Sequence, residues 1–153
     1  MSSNQVHRAL ELFSQNYNCT QAVYVACAVG EGLSERQRLA LAAPFGGGLA
    51  QQGEVCGALT GALLALGEAD IESVAADPAT ARLALYAQVQ KLMEDFRQAH
   101  GSILCRELIG CSFNTEEGLR SFMKRGVRQN ICNKLVAFAA EEVVRITAAS
   151  PQK

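Results

Sequence analysis

The chain has 153 residues, which suits one domain and is enough to bury a hydrophobic core without cross-links. Apolar residues make up 49% of it and charged residues 19%, so the composition excludes an intrinsically disordered chain. The formal net charge of −1 gives no overall attraction to nucleic acid or to an acidic membrane surface. With six Phe, three Tyr and no Trp, the core must be filled by Ala, Leu and Val, which favours closely packed helices.

Targeting and membrane segments are not predicted. The first eight residues contain no apolar stretch typical of a secretory signal. The longest apolar run, 55–66, is shorter than the roughly 20 residues that a membrane span needs. We therefore expect a cytoplasmic protein that is not inserted in a membrane, with one helical domain over 1–153 and a core from about residue 4 to 147.

Apolar residues recur at helical spacing along most of the chain, and no stretch alternates as a β-strand does. The predicted elements are a helix at about 6–13, one capped by Asn18, one from the capping box of Ser34 and Gln37 to Pro44, one from Gly53 or Glu54 to Gly67, one from the cap Asp77 to Gly101, a short segment at 102–109 and a last helix from about Asn130. This pattern predicts an all-α fold, a compact bundle of about six or seven helices.

The fourth predicted helix has one side made almost entirely of small residues. Gly57 and Gly61 lie four positions apart, as do Ala58 and Ala62. Each glycine costs roughly 1 kcal/mol of helix stability relative to alanine. We expect that cost where another helix or a bound group must approach the backbone closely; ordinary tight helix packing explains it equally well.

The chain contains six cysteines, which is many for a protein of this kind. They are Cys19, Cys27, Cys56, Cys105, Cys111 and Cys132. In a reducing compartment, this density indicates metal or redox chemistry more than a static disulfide framework. The alternative is that some of them are small core residues, because free cysteine is often buried.

Three cysteines, Cys19, Cys56 and Cys132, are predicted to lie in the first turns of helices. A helix N-terminus carries unpaired N–H groups and a partial positive charge, so it should lower the pKa of a thiol. We expect the three helix ends to converge, because together they would form a site that stabilises thiolates or an anionic cluster. Cys56 is the predicted best nucleophile and most acidic thiol, because glycines at 46–48 and 53 leave room above it.

The remaining cysteines and the basic residues are less informative. Cys105 is followed by Arg106, which could hold a thiolate or point to solvent. Cys27 shares a helix face with Val23, so we interpret it as a core residue. Cys111 follows the stop at Gly110 and could be an exposed or a resolving thiol, so its role is left open. A basic patch precedes Cys132, and we interpret it as a solvated face, with a positive rim beside that thiol or an anionic substrate as the alternative. Its members are Lys124, Arg125 and Arg128.

Several familiar site patterns are absent. No CxxC occurs, which argues against a thioredoxin-type dithiol and paired zinc knuckles. His7 and His100 are isolated and are interpreted as surface residues. The run Gly46-Gly47-Gly48 lacks the Lys-Ser/Thr ending and the preceding strand of a phosphate-binding loop.

The chain resembles the C_GCAxxG_C_C family, whose redox label is itself an inference from its cysteines. The resemblance covers about residues 13–142, and its most specific element is the stretch from Cys56 to Gly61, which reads Cys-Gly-Ala-Leu-Thr-Gly. It also includes the early cysteine, the glycine-rich stretch before that element, and the segment 105–110. The resemblance implies that the four characteristic cysteines correspond to Cys19, Cys56, Cys105 and Cys132.

Two hypotheses follow for the function. The first is a thiol redox-active protein or a thiolate metallocluster protein that uses these four cysteines, either as catalytic residues of a thiol-dependent oxidoreductase or as ligands of zinc or an iron–sulfur cluster. The alternative is a non-catalytic helical binding module whose pocket or groove is lined by small residues. The predicted substrate-binding residues are Gly46, Gly47, Gly48, Gly53 and Gly57. The partner would be an electron donor or acceptor or a small molecule, not nucleic acid, and a homo-oligomer is compatible with the sequence.

Overall fold

The computed structural model describes residues 3–150, and this part of the chain is all-α, as predicted. It contains nine α-helices, two more than the upper limit of our prediction. They are α1 (Asn4–Ser14), α2 (Cys19–Cys27), α3 (Glu35–Ala42), α4 (Gly57–Ala69), α5 (Ile71–Ala76), α6 (Pro78–His100), α7 (Cys105–Ile109), α8 (Glu116–Lys124) and α9 (Asn133–Ala149). Between residues 3 and 150 the only strand-like pairing is an isolated antiparallel bridge between Val55 and Leu104.

Local sequence signals place several helix ends. Asn18 and Gln21 form a capping box that begins α2, and Ser34 and Gln37 form another that begins α3. The Asp77 side chain caps α6, which ends where Gly101 adopts a left-handed conformation. These three helices therefore begin where side-chain oxygens can satisfy the first free N–H groups.

Two helices were missed by the sequence analysis. α5 has only six residues and no side-chain cap, so its signal is weak. α8 has a clear signal in the sequence, since Thr115 caps it and Glu116 and Glu117 lie in its first turn.

The start of α4 was predicted three or four residues too early. Residues 54–56 lie outside the helix because their backbone pairs with the segment before α7, with a bridge between Val55 and Leu104. The Cys56 N–H donates to the Ile103 carbonyl at 2.8 Å, and the Cys105 N–H donates to the Glu54 carbonyl at 2.7 Å. This pairing fixes α7 beside the beginning of α4 and so determines the distance between two of the predicted site cysteines.

The core lies where α2 and α4 pack against each other, with α1 and α9 on either side. Ala22 and Val23 of α2 and Ala58 and Ala62 of α4 are fully buried. Gly61 lies against the backbone carbonyl of Thr20, which is 2.7 Å from the position that a Cβ atom would take. The small face of α4 is therefore a helix-packing face, one of the two explanations considered from the sequence.

The two histidines differ in environment. His7 is exposed, as predicted. His100 is half-buried, which corrects the prediction of a surface position, because its ring packs between Phe96 and Phe138 with centroid distances of 4.8 Å to each. Burial lowers the pKa of His100. Across residues 3–150, none of the helices combines the length and apolar character needed to cross a membrane.

Candidate functional site

Cys19 is the first residue of α2, as the sequence predicts. Its sulfur accepts hydrogen bonds from the backbone N–H groups of Gly47, Thr20 and Cys19 itself, and these bonds favour the thiolate. Arg128 acts in the same direction through its positive charge. Burial is the larger influence and leaves the pKa of the Cys19 thiol above its ordinary value, while these groups oppose that rise.

The sulfur of Cys19 is accommodated by a glycine on the neighbouring helix. A Cβ atom added to Gly57 would overlap Cys19 Sγ and would lie 2.7 Å from Thr20 Oγ1. Only a residue without a side chain leaves space for the thiol at this point. Gly57, predicted as a substrate-binding residue, therefore contacts the sulfur and does not line the cavity described below.

Three other cysteines surround Cys19 closely enough for charge on its sulfur to raise their thiol pKa values. These are Cys56, Cys105 and Cys132. Cys111 acts on Cys105 and Cys132 in the same way, so it belongs to the group although it stands outside the predicted set. We call Cys19, Cys56, Cys105, Cys111 and Cys132 the cysteine cluster.

Cys27 lies outside the cysteine cluster. It is 2% exposed, packs in the main core and has its sulfur 3.9 Å from the Ala140 carbonyl oxygen. Burial raises the pKa of its thiol to about 12. The interpretation of Cys27 as a core residue is confirmed.

Cys56 is the N-cap of α4 and is only 4% exposed. Burial raises the pKa of its thiol well above the ordinary value, and the nearby Cys19 adds to that rise. The N–H groups of Ala58 and Leu59 lower the pKa as a helix N-terminus should, but they do not outweigh burial. The expectation that Cys56 is the most acidic thiol therefore finds no support in the structure.

Cys105 begins the five-residue helix α7 and is 7% exposed. Burial raises the pKa of its thiol to about 12. Arg106 does not support this thiol, because its guanidinium pairs with the Glu54 carboxylate at 3.1 Å and both side chains are about half exposed. Of the two orientations considered for Arg106, the structure has the one directed away from the sulfur.

Cys132 does not lie in a first helical turn, which corrects the prediction. A π-helical turn, Arg128–Cys132, follows Val127 and continues directly into α9. Burial raises the pKa of the Cys132 thiol to about 12, and Arg128 lowers it. The charged neighbour of Cys132 is thus a side chain one turn earlier rather than a helix N-terminus.

The glycine-rich segment forms a left-handed turn beside the cysteine cluster. Residues 47–51 all have positive φ angles, including Leu49, Ala50 and Gln51, which have side chains. Each of these three non-glycine residues costs roughly 1–3 kcal/mol of backbone strain. The turn is held by the N–H of Ala50, which donates to the Pro44 carbonyl at 2.8 Å, and by similar bonds along the segment.

The four other predicted substrate-binding glycines, besides Gly57, divide into two groups. Gly46 and Gly47 line a cavity beside the cluster. Gly48 and Gly53 instead make room for α7, because a Cβ atom at these positions would lie 2.8 Å from Cys105 Cβ and 2.9 Å from Arg106 Cβ respectively.

A cavity of about 490 Å³ opens beside the cysteine cluster. Its lining includes three thiols, three aromatic rings and one charged side chain, namely those of Cys19, Cys105, Cys132, Phe13, Phe113, Phe122 and Arg128. The other two cluster members, Cys56 and Cys111, do not line the cavity, and Cys56 is buried. The volume is in the range of small-molecule sites.

Arg128 is the member of the basic patch that reaches the cavity. Its Nη2 group is bonded to the carbonyl oxygens of Phe13 and Tyr17, and its guanidinium carbon lies 3.7 Å from the centre of the Phe13 ring. Arg125 instead donates to the Ile109 carbonyl at 3.0 Å, and Lys124 is exposed. The interpretation of this patch as a solvated face is therefore wrong for Arg128.

The cysteine cluster is not arranged as a metal site. Among residues 3–150, no group of three or more Cys, His, Asp or Glu side chains is arranged to hold a metal ion. All six cysteines are free thiols. The zinc and iron–sulfur alternatives therefore find no support in this arrangement.

These features define an all-α protein with a cluster of cysteines from separate helices beside a small cavity. The family model described as "Putative redox-active protein (C_GCAxxG_C_C)" matches residues 17–146, and the chain belongs to this family. The resemblance seen in the sequence is thereby confirmed. No curated protein and no solved structure matches the chain.

Sequence reasoning left the role of Cys111 open and missed the aromatic rings of the cavity. Cys111 follows Gly110, which ends α7 in a left-handed conformation. At such a helix end, the residue after the glycine often contacts the last turn of the helix. That geometry could have suggested its proximity to Cys105. Phe113 precedes α8 and Phe122 lies within it, and their ring centroids are 5.1 Å apart. No local sequence signal predicts this contact.

Proposed function

We propose that this chain is a thiol–disulfide redox protein that exchanges electrons with small disulfides, with Cys19 as the nucleophile and Cys132 as the resolving thiol. One observation supports this most strongly. The Cys19 sulfur lies at a helix N-terminus, accepts hydrogen bonds from backbone N–H groups and faces a cavity that two further thiols line. Thiolate is the nucleophile in disulfide exchange, and N–H groups stabilise it.

The first step is attack by the Cys19 thiolate on one sulfur of a small disulfide. A bond forms between Cys19 Sγ and that sulfur, the disulfide bond breaks, and the second half of the substrate leaves as a thiolate that takes up a proton. Arg128 stabilises the anionic sulfur through its charge. The product is a mixed disulfide between Cys19 and half of the substrate.

The second step releases the other half of the substrate. The Cys132 thiolate attacks Cys19 Sγ, a disulfide forms between the two cysteines, and the bound thiol leaves and is protonated. The protein has then lost two electrons and the substrate has gained two. The Cys19–Cys132 disulfide requires Cα atoms within about 7 Å.

Cys132 is favoured over the other cluster members for this role. It is half-buried and lines the cavity, and Arg128 lowers the pKa of its thiol. Cys105 also lines the cavity but is buried and lacks a cationic neighbour acting on its thiol. Cys56 is buried and does not line the cavity, so we propose that it supports the packing of Cys19.

The test is single-turnover reaction of the reduced protein with bis(2-hydroxyethyl) disulfide, followed by acid quenching and peptide mass spectrometry. We expect Cys132→Ser to accumulate the mixed disulfide on Cys19, and Cys19→Ser to form none. Cys27→Ser is the matched control, because this cysteine lies outside the cluster, and it should behave as the unchanged protein does. Accumulation in Cys105→Ser instead would transfer the resolving role to Cys105, and unimpaired reaction of Cys19→Ser would overturn the proposal.

A further inference from the structure

Arg128 is the only charged side chain among the described residues that line the cavity. The polar side chains beside it, Asn18 and Gln51, are neutral. The rest of the lining is backbone, small apolar groups, thiols and the three aromatic rings. Any charge on a molecule inside this cavity is therefore met by one cation and no carboxylate.

The positive charge of Arg128 is not neutralised by a neighbouring acid. Its bonds to the carbonyls of Phe13 and Tyr17 both leave from Nη2, and between residues 3 and 150 no Asp or Glu lies within ion-pair distance. These bonds and the contact with the Phe13 ring hold the guanidinium in a fixed place. Nη1 and Nε have no partner in this part of the chain, so they are free to donate.

The thiols do not supply the missing negative charge in the resting reduced protein. Burial raises the pKa values of Cys19, Cys105 and Cys132, so these thiols are mainly protonated near neutral pH. After oxidation, a disulfide carries no charge either. In both of these resting states, before Cys19 is deprotonated for attack, the cavity contains one uncompensated positive charge.

From this arrangement we infer that the cavity selects disulfides with a carboxylate or similar anionic group near the sulfur, and that Arg128 is the residue that recognises it. This inference rests on the proposed thiol–disulfide exchange and adds the substrate class. A guanidinium binds carboxylates through strong charge-assisted hydrogen bonds, and surrounding aromatic groups limit screening by water. The same charge repels a cationic disulfide.

Three symmetrical disulfides of similar length test the inference. 3,3′-Dithiodipropionate carries two carboxylates, bis(2-hydroxyethyl) disulfide is neutral, and cystamine carries two ammonium groups. The rate constant for mixed-disulfide formation is measured with each and divided by the rate constant of free 2-mercaptoethanol under the same conditions, because the three disulfides differ in intrinsic reactivity. We expect the normalised value to be about tenfold or more higher for the dianion than for the dication at low salt, and the difference to shrink at high salt.

Variants identify the residue responsible. Arg128→Met should bring the dianion-to-dication ratio close to one, while Arg128→Lys, which keeps the charge, should retain much of it. Loss of thiolate stabilisation slows reaction with all three disulfides, so the ratio isolates recognition from nucleophile activation. Lys124→Met removes an exposed charge from the same basic patch and should leave the ratio unchanged.

The outcomes separate the two proposals. Equal normalised rates for the three disulfides in the unchanged protein would overturn the anion selectivity while leaving exchange at Cys19 intact. Failure of the reduced protein to react with any of them would overturn the proposed function itself. If Arg128→Met does not fold, the charge series in the unchanged protein and in Arg128→Lys still decides, because a loss of selectivity in the lysine variant would contradict a role for charge.

Discussion

The sulfur of Cys19 lies directly against the backbone of Gly57, in the space where any other residue would place its Cβ atom. The first turn of α2 and the first turn of α4 therefore meet at the one position where a side chain is absent. One turn further along α4, Gly61 meets the carbonyl of Thr20 in the same way. The two glycines of the small face thus fix the distance between the helices and the depth of the thiol.

We expect Gly57→Ala and Gly61→Ala each to lower the free energy of unfolding by about 1–3 kcal/mol, because the added methyl group overpacks a close helix contact. Gly67→Ala is the matched control in α4, since no atom lies within 4 Å of its Cβ position. This change should raise stability by up to about 1 kcal/mol through helix propensity. Urea unfolding of the three variants gives the comparison, and equal stabilities would show that the small face does not limit the packing.

The cysteines should differ in alkylation under native conditions. Cys19, Cys111 and Cys132 are half-buried, whereas Cys27 and Cys56 are buried. We expect iodoacetamide to modify the first three well before the last two, as read by peptide mass spectrometry. Faster modification of Cys56 than of Cys19 in the folded protein would contradict the assignment of the nucleophile.

The pH dependence of alkylation follows from the raised pKa values. Below its pKa, a thiol gains about tenfold in thiolate fraction for each pH unit. The pKa of Cys132 is raised to about 12, so its alkylation rate should still be rising between pH 8 and pH 10. A plateau below pH 9 would show that the thiolate is stabilised more strongly than the contacts around Cys132 provide.

A buried ion pair outside the site should control stability. Glu68 accepts a hydrogen bond from the Tyr24 hydroxyl at 2.5 Å, and its two carboxylate oxygens share the single Nε–H of Arg38 at 3.1 Å each. The Glu68 and Arg38 side chains are only 5% and 12% exposed. We expect Arg38→Met to cost about 3–5 kcal/mol, because it leaves a buried carboxylate without its cation. The double variant Arg38→Met/Glu68→Met should recover much of this loss in urea unfolding. A double variant no more stable than the single one would show that the charge itself is not the cause.

The Glu68 carboxylate also makes the free energy of unfolding depend on pH in the acid range. Burial acts to raise the pKa of Glu68, but its bonds from Arg38 and Tyr24 outweigh this effect and lower the pKa. Because the folded-state pKa lies below the unfolded value of about 4.3, the stabilisation from the ionised Glu68 is present above that pH and is lost as the pH falls below it. Glu68→Gln should therefore flatten the unfolding free energy below pH 5 relative to the unchanged protein.

His100 should make stability fall at mildly acidic pH. Its Nε2 atom is buried without a hydrogen-bond partner in the described part of the chain, and burial lowers its pKa. The unfolded chain then binds the proton more readily, so stability present above about pH 6.5 is lost as pH falls below that value. His100→Phe should reduce this change in the free energy of unfolding, measured from pH 7.5 to 5. His7→Gln, which removes the other histidine, should leave the change as it is.

The sequence predicted the fold class and most of the helix starts because these depend on neighbouring residues. Capping boxes at Ser34 and Asn18 act over three residues, and an apolar period acts within one helix. The start of α4 was predicted too early because backbone pairing with residues 103–105 competes with helix formation there. Such a pairing joins segments about fifty residues apart and leaves no local signal.

For the site, the sequence by itself determined which residue types were available and that Cys19 would begin a helix. Three features were decided only by the tertiary structure: which thiol meets Gly57, which buried cysteine stays out of the cavity lining, and which arginine of the basic patch reaches the cavity. The physical reason is that helix-end electrostatics are local, whereas burial depends on how α2, α4, α7 and α9 pack together. At Cys56, the N–H groups of its own helix lower the thiol pKa, but burial by the other elements raises it by more.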